Sequence, residues 1–386
     1  MTDVTADFTE VTRRYMEERG TSLRALAKQA GYDPSYLSKV LRGLKPCGPK
    51  MADDLDKALN AGGEIIRAAK LLDLCLATGQ VDYVAPELAD YFASQLAGHY
   101  TADRFLGPTR LLPPAVSQYE LLCDVASDAS GSLRGNLWSL AAGFAALIGW
   151  LYQDAGDLAA SSRWHDVMIE RAHRSSDAQL VAFALHCKAM LHADMADGRG
   201  VLDLTGTALR HKGLCPKVRV LLLQQAAHGT SLIGGNDAAS TCDRLLDEAA
   251  SLVDTIADEY PWGGSSRTDR YIDVQRATVY TRLGRTDEAL NLWGQIIPAI
   301  PAASRRDLGV FRARQAQALA NAGEPEQAVD IALQVVPIAA QTASARMLTE
   351  LSMLRQRMEP WRTEPPGRAL ATALAGIPRK QRTGGR

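Results

Sequence analysis

The stretch "SLRALAKQAGYDPSYLSKVLRG" (22–43) decides how this chain is read. Leu23, Leu26, Ala27 and Ala30 recur at helical spacing, and Gly31 ends the stripe. Thr21 or Ser22 stands where the N-cap of that helix belongs. A second stripe follows at Leu37, Val40 and Leu41. Asp33 or Ser35 opens it as a cap, Pro34 lies near its first turn, and Gly43 closes it. Two short helices joined by so few residues must cross steeply. The crossing needs a small residue, which Ala27 supplies, and the turn needs a residue tolerant of positive φ, which Gly31 supplies. The order Ala27, Gly31, Leu37, Val40 has the spacing of a helix-turn-helix. Its second helix leaves a polar half facing outward, which is either a solvated face or a reading face.

Working outward, "FTEVTRRYMEER" (8–19) puts Phe8, Val11 and Tyr15 on one helical face before Gly20, and "PKMADDLDKALNAGG" (49–63) begins a fourth helix at Pro49. Residues 1–62 therefore form one compact helical domain. Between residues 22 and 50, Arg24, Lys28, Lys39, Arg42, Lys45 and Lys50 stand against Asp33 alone, in a chain of formal net charge −1. Such balance rules out a uniformly polyanion-binding surface, so any nucleic-acid contact falls to this local patch.

Residues 22–43 resemble the XRE family of lambda-repressor-like DNA-binding domains. The resemblance implies that 35–43 is a recognition helix lying in the major groove of double-stranded DNA. It implies that Ser35, Tyr36, Ser38 and Lys39 face base edges or nearby phosphates, and that Arg24, Lys28, Arg42 and Lys45 clamp phosphates. The face itself has no Asn or Gln for adenine, and its long donors are Lys39 and Arg42. No base preference is legible, and shape and phosphate contacts carry much of the affinity.

A helix is expected over 64–77 and a break over 79–86, which makes 63–86 a linker. Beyond residue 140 a pattern recurs: a small residue, a bulky one three later, a turn residue four after that, a small residue five further on. Gly149, Tyr152, Gly156 and Ser161 fit it, as do Ala227, Thr230, Gly234 and Ala239. Ala277, Tyr280, Gly284 and Ala289, and then Ala316, Leu319, Gly323 and Ala328, fit as well. Ala189, His192, Ala196 and Val201 fit more weakly. Each set describes a helix hairpin that buries its apolar face only by stacking on neighbours. "RATVYTRLGRTDEALNLWGQIIPAIP" (276–301) and "RQAQALANAGEPEQAVDIALQVV" (314–336) resemble tetratricopeptide (TPR) repeats. The fold expected is all-α, with the helix-turn-helix domain followed by a TPR-like helical-hairpin solenoid over 87–358. Helices are also expected at 87–98, 115–126 and 345–358. Residues 359–386 read as a disordered basic tail. With "LAGHYTADRFLGP" (96–108) and "GWLYQDAGDLAASSRWHDVMIERA" (149–172), the chain resembles a group of actinobacterial XRE–TPR transcriptional regulators. It also resembles peptide-sensing regulators of the same two-part plan.

"DEYPWGGSSRTDRYID" (258–273) reads as a loop. Trp262 and Tyr271, with Tyr280 beyond, either border an effector groove or anchor a packed insertion. No P-loop, G-x-S-x-G or H-E-x-x-H occurs. The histidines fall on different helix faces and suggest no metal site. The six cysteines form no C-x-x-C pair and read as reduced thiols. The N-terminus lacks the apolar core of a signal peptide, and "SLAAGFAALIGWLY" (139–152) is too short to span a bilayer. These features lead to a cytoplasmic DNA-binding regulator, not an enzyme, with no cofactor and no membrane partner. It would be a homodimer whose repeats dimerise it, bind a peptide or small-molecule effector, or both. The alternative is a TPR-type adaptor whose N-terminal helices do not bind DNA.

Overall fold

The apolar stripes become helices, and no strand occurs among the described residues. The computed structural model describes residues 4–42, 45, 47–69, 87–103, 106–257, 270–301, 304–342 and 344–377. Two compact units divide the chain: Met1–Ala85 with Asp128–Ser130, and Pro86–Ser127 with Gly131–Arg386.

The first unit contains α1 (Val4–Glu18), α2 (Leu23–Ala30), α3 (Pro34–Val40), α4 (Pro49–Leu59) and a helical stretch α5 over 64–69. Its core gathers one stripe from each helix: Phe8, Leu26, Leu37, Leu55 and Ile65 are all fully buried. Ala27 is likewise fully buried, as the steep crossing requires. Asp56, itself buried, accepts the backbone N–H groups of Gly63 and Ile65 and so fixes the start of α5. Residues 70–86, with most of the linker and its expected break, lie outside the described residues.

The second unit is a succession of hairpins. They pair α6 (Glu87–Asp103) with α7 (Pro108–Asp128), and α8 (Gly131–Ala155) with α9 (Leu158–Ser175). Next come α10 (Ala178–Asp194) with α11 (Gly198–Leu209), and α12 (Pro216–Ile233) with α13 (Ala238–Val253). Then follow α14 (Tyr271–Leu283) with α15 (Thr286–Ile296), and α16 (Arg305–Asn321) with α17 (Pro325–Thr342). The last pair is α18 (Ala345–Arg357) with α19 (Pro365–Ala375).

The repeat pattern marks the turns of five of these hairpins. Gly156, Ala196, Gly234, Gly284 and Gly323 all take positive φ, from +57° at Ala196 to +82° at Gly156. The weakly patterned unit around Ala196 is thus a hairpin like the others. One detail differs: Ala238 rather than Ala239 is buried after Gly234, because Gly235 also takes positive φ there and the turn shifts the register by one.

Even-numbered helices form an inner ring. α8 packs on α10, α10 on α12, α12 on α14, α14 on α16 and α16 on α18, and α18 returns to α8. Charged groups bolt the closure. Arg306 of α16 donates to Asp103 Oδ1 at 2.8 Å and pairs with the fully buried Asp154 of α8. Ser344 donates to Asp154 Oδ1 at 2.8 Å, and Arg346 stacks 4.4 Å from the Trp150 ring.

The expected tail is corrected through Ala375. Pro365 and Pro366 occupy the first positions of α19, where a proline's missing N–H costs nothing, and Leu370 is buried as α19 packs on α17 and α18. Residues 378–386 lie outside the described residues. No helix among the described residues is long and apolar enough to cross a membrane.

Candidate nucleic-acid interface

Local capping sets the two helices of the candidate interface. Ser22 is the cap of α2, its side chain accepting the Ala25 N–H. Gly31 ends α2 at φ +77°, and the Tyr32 N–H then bonds to the Ala27 carbonyl. Asp33 is the cap of α3: its Oδ1 accepts the N–H groups of Ser35 at 2.8 Å and Tyr36 at 3.0 Å. Leu37, Val40 and Leu41 turn inward, which leaves the opposite side of α3 to solvent.

α3 is shorter than the 35–43 expected. It ends at Val40, and Leu41 is its C-cap, bonded through its N–H to the Leu37 carbonyl. Val40 and Leu41 are both buried, so the chain turns to bring successive residues to the core. Gly43 lies outside the described residues. Arg42 sits in the turn and folds its Nε back onto the Ser38 carbonyl at 3.2 Å.

Seven of the eight candidate residues are exposed: Arg24, Lys28, Ser35, Tyr36, Lys39, Arg42 and Lys45, while Ser38 is half-buried. Arg24 and Lys28 lie one turn apart on α2, and Ser35 and Lys39 do so on α3, so each pair shares a face. Tyr36 is 40% exposed and presents its ring to solvent on α3.

The cations of this patch lack acidic partners. Among the described residues, Arg24, Lys28, Lys39, Arg42 and Lys45 form no ion pair, and neither does Lys50 at the start of α4. Several acids of the unit are occupied elsewhere, while Glu10 and Glu17 lie exposed on α1. Glu64 pairs with Arg14, Asp53 with Lys57 at 2.6 Å, and Asp33 caps α3. Asp54 accepts the Tyr32 hydroxyl at 2.8 Å. Burial first, then that acceptor, pushes the Tyr32 hydroxyl up to about 12, so it stays a donor and fastens the α2–α3 turn to α4. Sequence reasoning passed over Tyr32; its place directly after the turn glycine was the available signal. Lys50 entered only the charge count.

Two of the three candidate effector residues fall among the described residues. Trp262 lies outside the described residues. Tyr271 begins α14 and packs on the core shared by α12 to α15. Tyr280 is buried in a clasp: its hydroxyl donates to Asp243 Oδ1 at 2.6 Å, and Arg285 covers its ring at 3.9 Å while bonding Asp243 Oδ2 at 2.7 Å.

Residues 9–69 match a family of helix-turn-helix domains. The match begins within α1 and ends with the described part of α5, so it takes in all of the helical core just described except Phe8. The N-terminal unit is a helix-turn-helix domain, and the region after it is helical. No curated protein matches the chain.

Proposed function

We propose that the chain is a sequence-specific DNA-binding transcriptional regulator of the XRE type, acting in the cytoplasm, with α3 in the major groove. The observation that carries this reading is the set of exposed cations around α2 and α3 that form no ion pair among the described residues. A protein stabilised only by its own packing gains nothing from such a patch; a phosphate backbone supplies its counter-charge and releases bound ions. Arg24, Lys28, Arg42 and Lys45 hold phosphates, and Ser35, Tyr36, Ser38 and Lys39 approach base edges or nearby phosphates.

The regulator works as a homodimer, which sets two recognition helices about one DNA turn apart, ~34 Å, on a pseudo-palindrome. The repeat unit, TPR-like in its hairpins and their turn residues, dimerises the protein, binds an effector, or does both. An effector alters operator affinity only by binding the DNA-competent and incompetent arrangements unequally. The reading assigns the chain no catalytic step.

Footprinting of the full chain on fragmented genomic DNA tests the proposal. The expected result is protection of two-fold-related half-sites spaced by about 10 bp. Absence of any protected site, at low as at moderate salt, would overturn it.

A further inference from the structure

The middle of the helical ring holds ionisable side chains for which DNA binding has no use. Asp194 comes from α10, His228 from α12, Arg282 from α14, Arg314 from α16, and Glu350 and Arg357 from α18. Hydrogen bonds link them between neighbouring helices: Arg282 of α14 reaches His228 of α12 at 2.9 Å, and Arg314 of α16 reaches Thr278 of α14 at 3.0 Å and Glu350 of α18 at 2.6 Å. α10 stands opposite α16 in the ring order, yet Asp194 lies in the fields of Arg314 and Glu350. Arg282 likewise senses Arg314, Glu350, Asp194 and Arg357 together.

Their charges do not cancel. Arg314 Nε donates to Glu350 Oε1 at 2.6 Å and Gln317 donates to Glu350 Oε2 at 2.7 Å, which fills that carboxylate. Arg357 reaches only amide oxygens, on Asn321 at 2.7 Å and Gln317 at 3.3 Å. Arg282 Nη1 lies 2.9 Å from His228 Nδ1, and the other ring nitrogen of His228 lies 2.8 Å from Gln275 Oε1. This pattern fixes His228 as a neutral ring that donates to Gln275 and accepts from Arg282. Asp194 accepts from Gln153 at 2.6 Å, not from a guanidinium. Among the described residues, neither Arg282 nor Arg357 has a carboxylate within ion-pair distance.

Enclosed guanidiniums without counter-charge are costly. Burial, then the nearby Arg314, holds Arg282 below the usual arginine range. The unused nitrogens are still within reach of solvent. Sealed nitrogens without a partner occur on Arg306 and Arg346 but not on Arg282, Arg314 or Arg357, and all three of these residues are half-buried, not buried. Among the described residues, Nη2 of each has no hydrogen-bond partner, which leaves a set of forked donors suited to planar or tetrahedral oxyanions.

We propose that this cluster binds a small oxyanionic ligand, a carboxylate- or phosphate-bearing metabolite, held by Arg282, Arg314 and Arg357 at the axis of the ring. His228 positions Arg282, and Gln317 and Asn321 position Arg357. The site gives the effector of the proposed function a chemistry and rests on that reading only for its regulatory consequence; the binding itself stands on the cluster.

The test is thermal unfolding of the full chain titrated with inorganic phosphate in one arm and malonate in another, against chloride at matched ionic strength. The expected result is a rise in Tm of about 4 °C at a hundredfold excess over Kd in at least one arm. The responding arm tells phosphate from carboxylate. Arg282→Gln should abolish the rise, and Arg357→Gln should weaken it at least tenfold in anion concentration. In chloride alone Arg282→Gln should melt no lower than the unaltered protein, because it removes an uncompensated cation. The pair Lys39→Ala, Arg42→Ala should respond like the unaltered protein, which excludes the DNA-binding patch as the anion's site. No anion-specific rise in either arm, or a full rise in a folded Arg282→Gln or Arg357→Gln, would overturn the proposal. DNA affinity of Arg282→Gln, measured in chloride, should match the unaltered protein, so failure of the anion site and failure of DNA binding are read separately.

Discussion

At Gly284 the backbone has φ +74°, and nothing lies within 4 Å of where a Cβ would stand. A methyl group would fit the space and strain the chain, so Gly284→Ala is expected to cost about 1 kcal/mol. Ala196 carries that strain at the equivalent turn, with φ +57°. Ala196→Gly should therefore be neutral or stabilising, and urea midpoints of the two variants should move in opposite senses or differ by about 1 kcal/mol. This contrast also marks what single residues told in advance. A glycine at the turn position announces its φ, whereas Ala196 announces nothing, and its hairpin was the faintest of the five. Tyr280 was ambiguous for a different reason. An aromatic residue at a repeat position suits a groove as well as a core, and its partner Asp243 stands 37 residues away in sequence.

At the scale of the element, α3 has only seven residues and is too short to hold itself together as an isolated helix. Its stability comes from Leu37 and Val40 in the core, from the Asp33 cap, and from Thr9 of α1 bonding the Leu41 carbonyl at 3.1 Å. Asp33→Ala removes both cap bonds and should cost about 1 kcal/mol, while Asp33→Asn, which keeps an acceptor, should cost a few tenths. Thermal or urea unfolding of the first unit's transition checks both. Equal losses would mean that the cap matters by its charge alone. Element boundaries were legible where a glycine or a cap enforced them, as at Gly31. They were not legible where packing decides, as at Val40, where two adjacent apolar residues must both reach the core. Pro365 and Pro366 read as breakers in sequence and serve as helix starters in the fold, because only their position in α19 separates the two roles.

On the scale of the whole molecule, closure of the second unit into a ring was not legible. It depends on the small rotation added at each hairpin and on pairs such as Ser344 with Asp154, 190 residues apart. The all-helical class and the two-part plan were legible, because periodicity and turn residues persist along the chain. The candidate DNA patch was legible as a charge excess, but its lack of acidic partners was not. That needed Asp33, Asp53, Asp54 and Glu64 to be found occupied.

The second unit also carries a pH liability. Burial, as the largest cause in each case, lowers His165 and His186 to about 4 and His228 to about 3. An unfolded chain takes up protons near the ordinary histidine value of 6.5, whereas the native state holds these rings neutral. Stability is therefore full above about pH 6.5 and is lost as the pH falls toward 4, by about 1.4 kcal/mol per pH unit for each histidine. Urea midpoints at pH 7.5 and pH 5.5 should show this fall. A profile flat between them would contradict neutral burial.

The central claim is that the cations around α3 meet DNA phosphates, and salt dependence of binding tests it most directly. Affinity of the full chain for its footprinted site, measured from 50 to 200 mM salt, should fall linearly on logarithmic axes. Lys39→Ala with Arg42→Ala should make that slope shallower by about 0.9 for the phosphate contact of Arg42, and by about 1.8 where Lys39 meets a phosphate as well, and should weaken binding at every salt concentration. An unchanged slope and affinity in the folded double variant would contradict the account.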